Sequence, residues 1–391
     1  MRGSRLWSIV TLLILVILVR FLFLGKHDKP NKRSVGNGRK NESRKPKFKG
    51  TPPQKIDLFM NYIKAHLPSV SLVEAKGIFP RKYEVHGHVV VVRMNNNITI
   101  EQFSPFAEAF AKSFLPIIID VILVDTKGIE GELRIPTLVT VYSAPSASLS
   151  SFSEKNRSFI LKKWKELRSK GIHSHVSEEE LHLLLGNCFL SETMTLHVEN
   201  GVRYSFDVRK VMFSSGNTTE RMHFATVDAS NEIVVDMFAG IGYFTIPIAM
   251  HGSPSEVHAL EKNPDSVSFL KLNAIQNGVS HIVKPECGDN RLIGDKLQGR
   301  CDRVFMGYIP CCKSFLKRAV FFLKKSGNDI PVGIIHYHFL SDNVNARGVV
   351  YSHVREELGD FLASVVKLKD LRCIKSYAPK RFHFVADLSF L

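Results

Sequence analysis

The chain has 391 residues and a formal charge of +16, long enough for two or three domains with a full core. Its six cysteines have no C-x-x-C spacing, which excludes a disulfide framework and offers no zinc site. The charge is uneven: residues 1 to 55 hold 14 Lys or Arg against Asp28 and Glu42, so residues 56 to 391 carry only +4 and the body is mildly basic.

Leu6 to Leu24 is a 19-residue apolar stretch interrupted by Arg20. As a helix it would be about 28 Å long, close to the roughly 30 Å hydrocarbon core of a bilayer. Arg20 lies one turn from the end, where its side chain can snorkel to the interface. Phe23-Leu24-Gly25 offers no small-residue cleavage site, so residues 1 to 25 are expected to form an uncleaved transmembrane anchor. Residues 26 to 55 hold 11 Lys or Arg with no apolar periodicity, the composition of a disordered basic linker. That charge, set against only Arg2 and Arg5 on the other side, predicts a body facing the cytoplasm. A mitochondrial address is the alternative, although the segment is too uniformly apolar for the usual presequence.

Residues 56 to 142 read as a small mixed α/β domain, with a helix near Ile56 to Leu67, alternation from Tyr83 to Val92, a helix near Phe103 to Phe114 and a strand over Ile117 to Val124. Ser143 to Ser153 is rich in Ser, Ala and Pro, and residues 143 to 185 read as an inserted, partly helical segment. Within it Ile160, Trp164 and Leu167 share one helical face while Lys162, Lys163, Lys165, Arg168 and Lys170 crowd the others. A solvated surface helix is preferred there over an RNA grip, because no aromatic residue interleaves the cations on the polar face.

Residues 186 to 391 carry the most specific signal. The β-branched run Ile233-Val234-Val235 leads into Asp236-Met237-Phe238-Ala239-Gly240-Ile241-Gly242, a strand entering a small-residue loop where backbone must approach a ligand closely. A second apolar run ends in Glu261, where an acid at a strand tip can bind ribose hydroxyls. The next helix places Val267, Leu270 and Ala274 on one face and stops at Asn277-Gly278, and a third tip follows at Gly288-Asp289-Asn290. The loop lacks the third glycine of a dinucleotide fingerprint, so three acidic tips indicate a nucleoside, for which S-adenosylmethionine fits best. The expected fold is a doubly wound, Rossmann-like α/β domain with an antiparallel hairpin at its C-terminal edge, centred on a turn at Tyr377 to Lys380.

The flanking blocks Lys127 to Arg134, His197 to Tyr204, Phe206 to Arg221, Asp302 to Tyr308, Ile335 to His338 and Tyr377 to Pro379 resemble the wybutosine-synthesis tRNA aminocarboxypropyltransferases, sister family of the tRNA guanosine N1-methyltransferases. The resemblance spans nearly all of residues 56 to 391. It implies transfer of the 3-amino-3-carboxypropyl group of S-adenosylmethionine to 4-demethylwyosine beside the anticodon of phenylalanine tRNA, with the small domain positioning the tRNA. It also implies that Ser214 and Arg221 contact the methionine end, Glu261 the ribose, and Asp289 with Asn290 the adenine side. Asp236, Gly240 and Gly242 complete the expected cofactor set.

The fourth strand tip reads Met306-Gly307-Tyr308-Ile309-Pro310, without the amide or acid of amino-group methylases, which points away from methyl transfer. Tyr308 is the candidate general base on its strand-tip position alone. His336 and His338 share a strand face, but no third ligand is identifiable, so no metal is expected. A guanosine N1-methyltransferase and a non-catalytic membrane-bound tRNA tether are the competing functions, and the sequence leaves the oligomeric state open.

Overall fold

The computed structural model describes residues 54–144, 149–213, 215–327 and 329–390. The expected anchor, all but the end of the expected linker, and Ser214 lie outside the described residues. Among the described residues no helix is long and apolar enough to cross a membrane.

The chain opens with α1 (Lys55–His66) and α2 (Leu72–Ile78), then β1 (Lys82–His86) and β2 (Val89–Arg93) turning at Gly87, whose φ is +58°. Short helices α3 (Ile100–Phe103) and α4 (Ala107–Lys112) precede β3 (Val121–Glu130) and β4 (Ile135–Ser143). These strands form one sheet in the order β1-β2-β3-β4, parallel only between β2 and β3. Alternation gives the sheet two buried faces. Val90, Val92, Ile122 and Val124 pack under the helices with Phe59, Phe103 and Phe110, while Val89, Val121 and Leu123 join the core of the following domain.

Next come α5 (Leu149–Ser169), α6 (Glu178–Cys188), the antiparallel hairpin β5 (Met194–Glu199) and β6 (Val202–Asp207), and α7 (Thr218–Phe224). Ile160 and Trp164 of α5 are buried in the same core as the central sheet, Leu167 is buried as well, and the Asn156 amide donates to Ser205 Oγ at 2.8 Å. The segment read as an insertion therefore supplies one of the helices that cover that sheet, with its cations outward.

The central sheet is built from β7 (Ile233–Asp236), β8 (Glu256–Glu261), β9 (Val283–Cys287), β10 (Arg303–Met306), β12 (Pro331–Ser341), β13 (Lys367–Ala378) and β14 (Arg381–Phe390), with the two-residue β11 (Lys324–Lys325) beside β12. Helices α8 (Thr245–His251), α9 (Pro264–Gln276), α10 (Leu316–Phe322) and α11 (Ala346–Val365, broken at Gly359) connect the strands. The order is β13-β14-β12-β10-β7-β8-β9, and β14 runs antiparallel to both neighbours. The doubly wound α/β expectation holds. The C-terminal hairpin forms, but β14 inserts between β12 and β13 and leaves β13 as the edge. Strand order reverses between β7 and β10, so the carboxyl ends of β7, β8, β9 and β10 frame the crevice where ligands of open α/β sheets bind.

Candidate functional site

Each strand tip at that crevice ends in the loop that the sequence motif anticipates. Asp236 is fully buried; its Oδ2 accepts from Thr245 Oγ1 at 2.8 Å and its Oδ1 from the Phe238 amide at 3.2 Å. Burial pushes its carboxyl up to about 6 despite those bonds. Asp236 thus ties the loop to the start of α8.

The loop glycines are required by space as well as by backbone angle. Gly240 has φ +54°, and a Cβ there would meet the Tyr243 ring at 2.5 Å. Gly242 has φ +99°, and a Cβ would meet Ile246 at 2.6 Å and Leu270 at 2.8 Å. Glu261 closes the loop from the next tip: Oε2 accepts from the Gly240 amide and Oε1 from the Asn263 amide, both at 2.7 Å. Burial raises the Glu261 pKa, and the amide bonds pull it back.

At the third tip the Asp289 carboxylate is gripped by Arg291, 2.9 Å from Nε and 2.5 Å from Nη2, and by Lys262 at 3.3 Å. The Arg291 contact above all holds its pKa well below the usual range. Asn290 is buried, donates to the Met237 carbonyl at 2.8 Å, and keeps an Oδ1 with no hydrogen-bond partner among the described residues. A buried acceptor without a donor is costly unless a ligand supplies one. An adenine amino group is such a donor, and close backbone at Gly240 and Gly242 leaves room for a nucleoside. The donor set therefore fits S-adenosylmethionine.

The fourth tip forms an aromatic wall. Tyr308 stacks on Phe238 with ring centres 5.2 Å apart, and Phe315 meets Phe238 edge-on at 5.1 Å. Arg134, from the small domain, lies 5.7 Å from the Tyr308 ring centre and donates to the Ile309 carbonyl at 3.1 Å. Tyr308 is thus a ring in a wall beside the cleft.

Arg221 sits on α7, almost fully buried, and its Nε and Nη2 bond the two oxygens of Glu199 at 2.5 and 3.1 Å. The fork edge expected to meet a ligand carboxylate is therefore shared with Glu199. Arg221 also lies 5.0 Å from the Phe213 ring, which is 5.7 Å from Tyr243 at the end of the glycine loop. The Tyr243 hydroxyl donates to the Met212 carbonyl, so the glycine loop braces the chain leading to Ser214. Two more buried polar atoms, His197 Nε2 and Asn217 Oδ1, have no hydrogen-bond partner among the described residues, although His197 Nε2 lies 4.0 Å from Glu199 Oε1.

The sequence singled out neither Glu199, Arg134 nor Asn273 individually. Asn273 is buried on α9, donating to the Ile241 carbonyl at 2.9 Å and accepting from the Ser205 amide at 2.8 Å. A polar residue next to the apolar face of that helix was the available signal. The two strand histidines are buried in separate networks. His336 Nδ1–H donates to Asp387 at 2.7 Å while Nε2 accepts from Arg303 at 2.9 Å, and His338 pairs with His383 at 3.0 Å. Among the described residues no cluster of His, Cys, Asp or Glu could hold a metal ion.

Comparison with known proteins agrees with this geometry. The TRM5/TYW2 methyltransferase domain matches residues 195–362. The chain is 40% identical over 202 residues to the tRNA(Phe) (4-demethylwyosine(37)-C(7)) aminocarboxypropyltransferase of Methanocaldococcus jannaschii, covering 51% of this chain and 76% of that protein. It is 37% identical over 226 residues to the Pyrococcus horikoshii enzyme of the same name, covering 57% and 75%. The crystal structure of P. horikoshii TYW2 in complex with MeSAdo superposes with a TM-score of 0.60 at 24% identity, covering 86% of this chain and 99% of that one, which establishes the shared fold.

Proposed function

This chain belongs to the family of tRNA(Phe) 4-demethylwyosine aminocarboxypropyltransferases, and from that premise we propose that it transfers the 3-amino-3-carboxypropyl group of S-adenosylmethionine to carbon 7 of 4-demethylwyosine at position 37 of tRNA(Phe). The observation that carries the reading is the cleft itself, a nucleoside cradle whose fourth strand tip offers Gly307 and Tyr308 where amino-group methylases hold an amide or acid. Bound there, the sulfonium cofactor presents the aminocarboxypropyl carbon to the ring carbon: a C–C bond forms, the C–S bond breaks with its electron pair left on sulfur as methylthioadenosine, and the ring proton is lost.

The protein's part is orientation, since whichever of the three carbons on sulfur lies in line is the one that reacts. In this reading Ser214 and Arg221 hold the methionine end, Glu261 takes the ribose hydroxyls, and Asp289 with Asn290 faces the adenine. Gly240 and Gly242 let the backbone approach, while Asp236 fixes their loop. Tyr308 stands beside the acceptor base, and the small domain positions the tRNA, its Arg134 reaching the same wall.

The test uses demethylwyosine-containing tRNA and S-adenosylmethionine labelled separately in the methyl and the aminocarboxypropyl group, read by nucleoside mass spectrometry. Movement of the aminocarboxypropyl label is expected. Movement of the methyl label makes the chain a methyltransferase, and no movement with cofactor bound makes it a tether.

Leu6 to Leu24 supports a membrane anchor with the catalytic body facing the cytoplasm. Full-length protein is expected in carbonate-resistant membranes, and protein lacking residues 1 to 55 in the soluble fraction. Carbonate release of the full-length chain overturns the anchor.

A further inference from the structure

An aminocarboxypropyl transferase has a requirement that a methyltransferase lacks: the amino-acid end of the cofactor is the cargo, not the leaving group. That end must be held while its own carbon is attacked, so its carboxylate needs a firm cationic grip. Arg221 alone is a weak candidate for the whole task, because Glu199 already occupies two of its nitrogens and offsets its charge.

A second cation converges on the same place. Lys375 lies on β13, and the register between β13 and β14 skips a residue between Cys373 and Lys375. Such bulges re-aim side chains beside active sites. Lys375 extends to the turn Ser215–Asn217 that follows Ser214: a Cβ built on Gly216 would lie 2.9 Å from its Nζ and 3.1 Å from its Cδ. Gly216 thus leaves room for the lysine to lie against the backbone there. Burial and Arg221 lower the pKa of Lys375, while Glu84 raises it. Beside it His383 keeps a buried Nδ1 without a hydrogen-bond partner among the described residues. Lys375 and Arg221 thus bring two cations to this turn, with Glu84 and Glu199 as acidic neighbours, and a ligand carboxylate reaching the turn would meet both cations.

We infer that Lys375 is a positioning residue for the transferred group, binding the carboxylate of the aminocarboxypropyl end together with Arg221. The inference rests on the proposed activity. It also implies that the grip persists on the product base after methylthioadenosine has left, because the carboxylate has moved with the group.

The experiment is calorimetry of the full chain with three ligands: S-adenosylmethionine, S-adenosylhomocysteine and methylthioadenosine, the last of which lacks the carboxylate. Lys375→Met is expected to weaken the first two by about 10- to 100-fold, the range of one charge-assisted contact, and to leave methylthioadenosine within about twofold. Lys375→Arg should recover part of the loss. Equal weakening of all three ligands would show a structural role and overturn the inference. Unchanged affinity for all three, with only tRNA binding reduced, would make Lys375 an RNA contact and overturn it equally. The labelled-transfer assay on wild-type protein fails separately: movement of the methyl group sinks the proposed activity, whereas the three-ligand pattern still decides Lys375.

Discussion

Glu261 accepts the backbone amide of Gly240 through Oε2 at 2.7 Å, so the acidic tip of one strand holds the glycine loop of its neighbour. The ribose contact proposed for the same carboxylate would use lone pairs that these amide bonds leave open. Glu261→Ala is expected to weaken S-adenosylmethionine by about 1.5 to 3 kcal/mol, the size of a hydrogen bond to a charged group. Methylthioadenosine, which keeps the ribose, should weaken equally, in contrast to the Lys375 variant. Calorimetry showing unchanged affinity for both refutes the ribose assignment.

Gly242→Ala tests whether the loop tolerates a side chain. The added methyl would fall 2.6 Å from Ile246 and 2.8 Å from Leu270 at a φ of +99°. Strain and overpacking together should cost about 2 to 4 kcal/mol, seen as a lower urea midpoint. A loss under about 0.5 kcal/mol would mean that the loop relaxes freely.

Tyr308 separates a wall from a base. If its ring matters through the stack on Phe238 and the Arg134 guanidinium, Tyr308→Phe keeps turnover within about twofold while Tyr308→Ala raises KM for tRNA. A collapse of kcat in Tyr308→Phe, with its pH profile lost, would instead place the proton chemistry on the hydroxyl.

Arg372 joins β13 to the interior, pairing with Glu220 at 2.7 Å and with Asp387 at 2.6 Å. Glu220 is almost fully buried and Asp387 largely so. Arg372→Met should therefore strand Glu220, leave Asp387 with His336 as its remaining partner, and cost about 3 to 5 kcal/mol in urea unfolding. A cost below about 1 kcal/mol would show that the network reorganises.

Stability should also fall in mild acid. Burial holds His86, His336 and His383 each down to about 4, from an ordinary 6.5. Between pH 6.5 and 4 the unfolded chain binds protons that the fold refuses, and stability drops with pH. Asp236, raised to about 6, and Glu261, also raised, act the other way, since the fold binds their protons first. The histidines prevail, so stability should fall from pH 7 to pH 5 by about 1.4 kcal/mol per pH unit for each uncompensated proton, seen as a lower urea midpoint at pH 5. A midpoint that rises toward pH 5 would show the carboxyls winning.

The nucleoside crossover and its acidic tips were legible in the order of the residues. Those features are local: a strand of β-branched residues, glycines where φ must be positive, and an acid at each of three strand ends are readable within a dozen residues. The apolar face of α5 was legible for the same reason, although its partner was not, and the segment read as an insertion packs into the shared core. What surrounds Arg221 and the tip after β10, by contrast, depends on tertiary packing. Glu199 meets Arg221 across 22 residues and Arg372 meets Glu220 across 152. Arg134 crosses from the other sheet to the tip after β10, 175 residues away. Lys375 arrives through a bulge on a strand positioned by the inward insertion of β14. Pairings over such separations leave no periodic mark in the chain, because only burial of the two sheets against their helices brings the partners within reach.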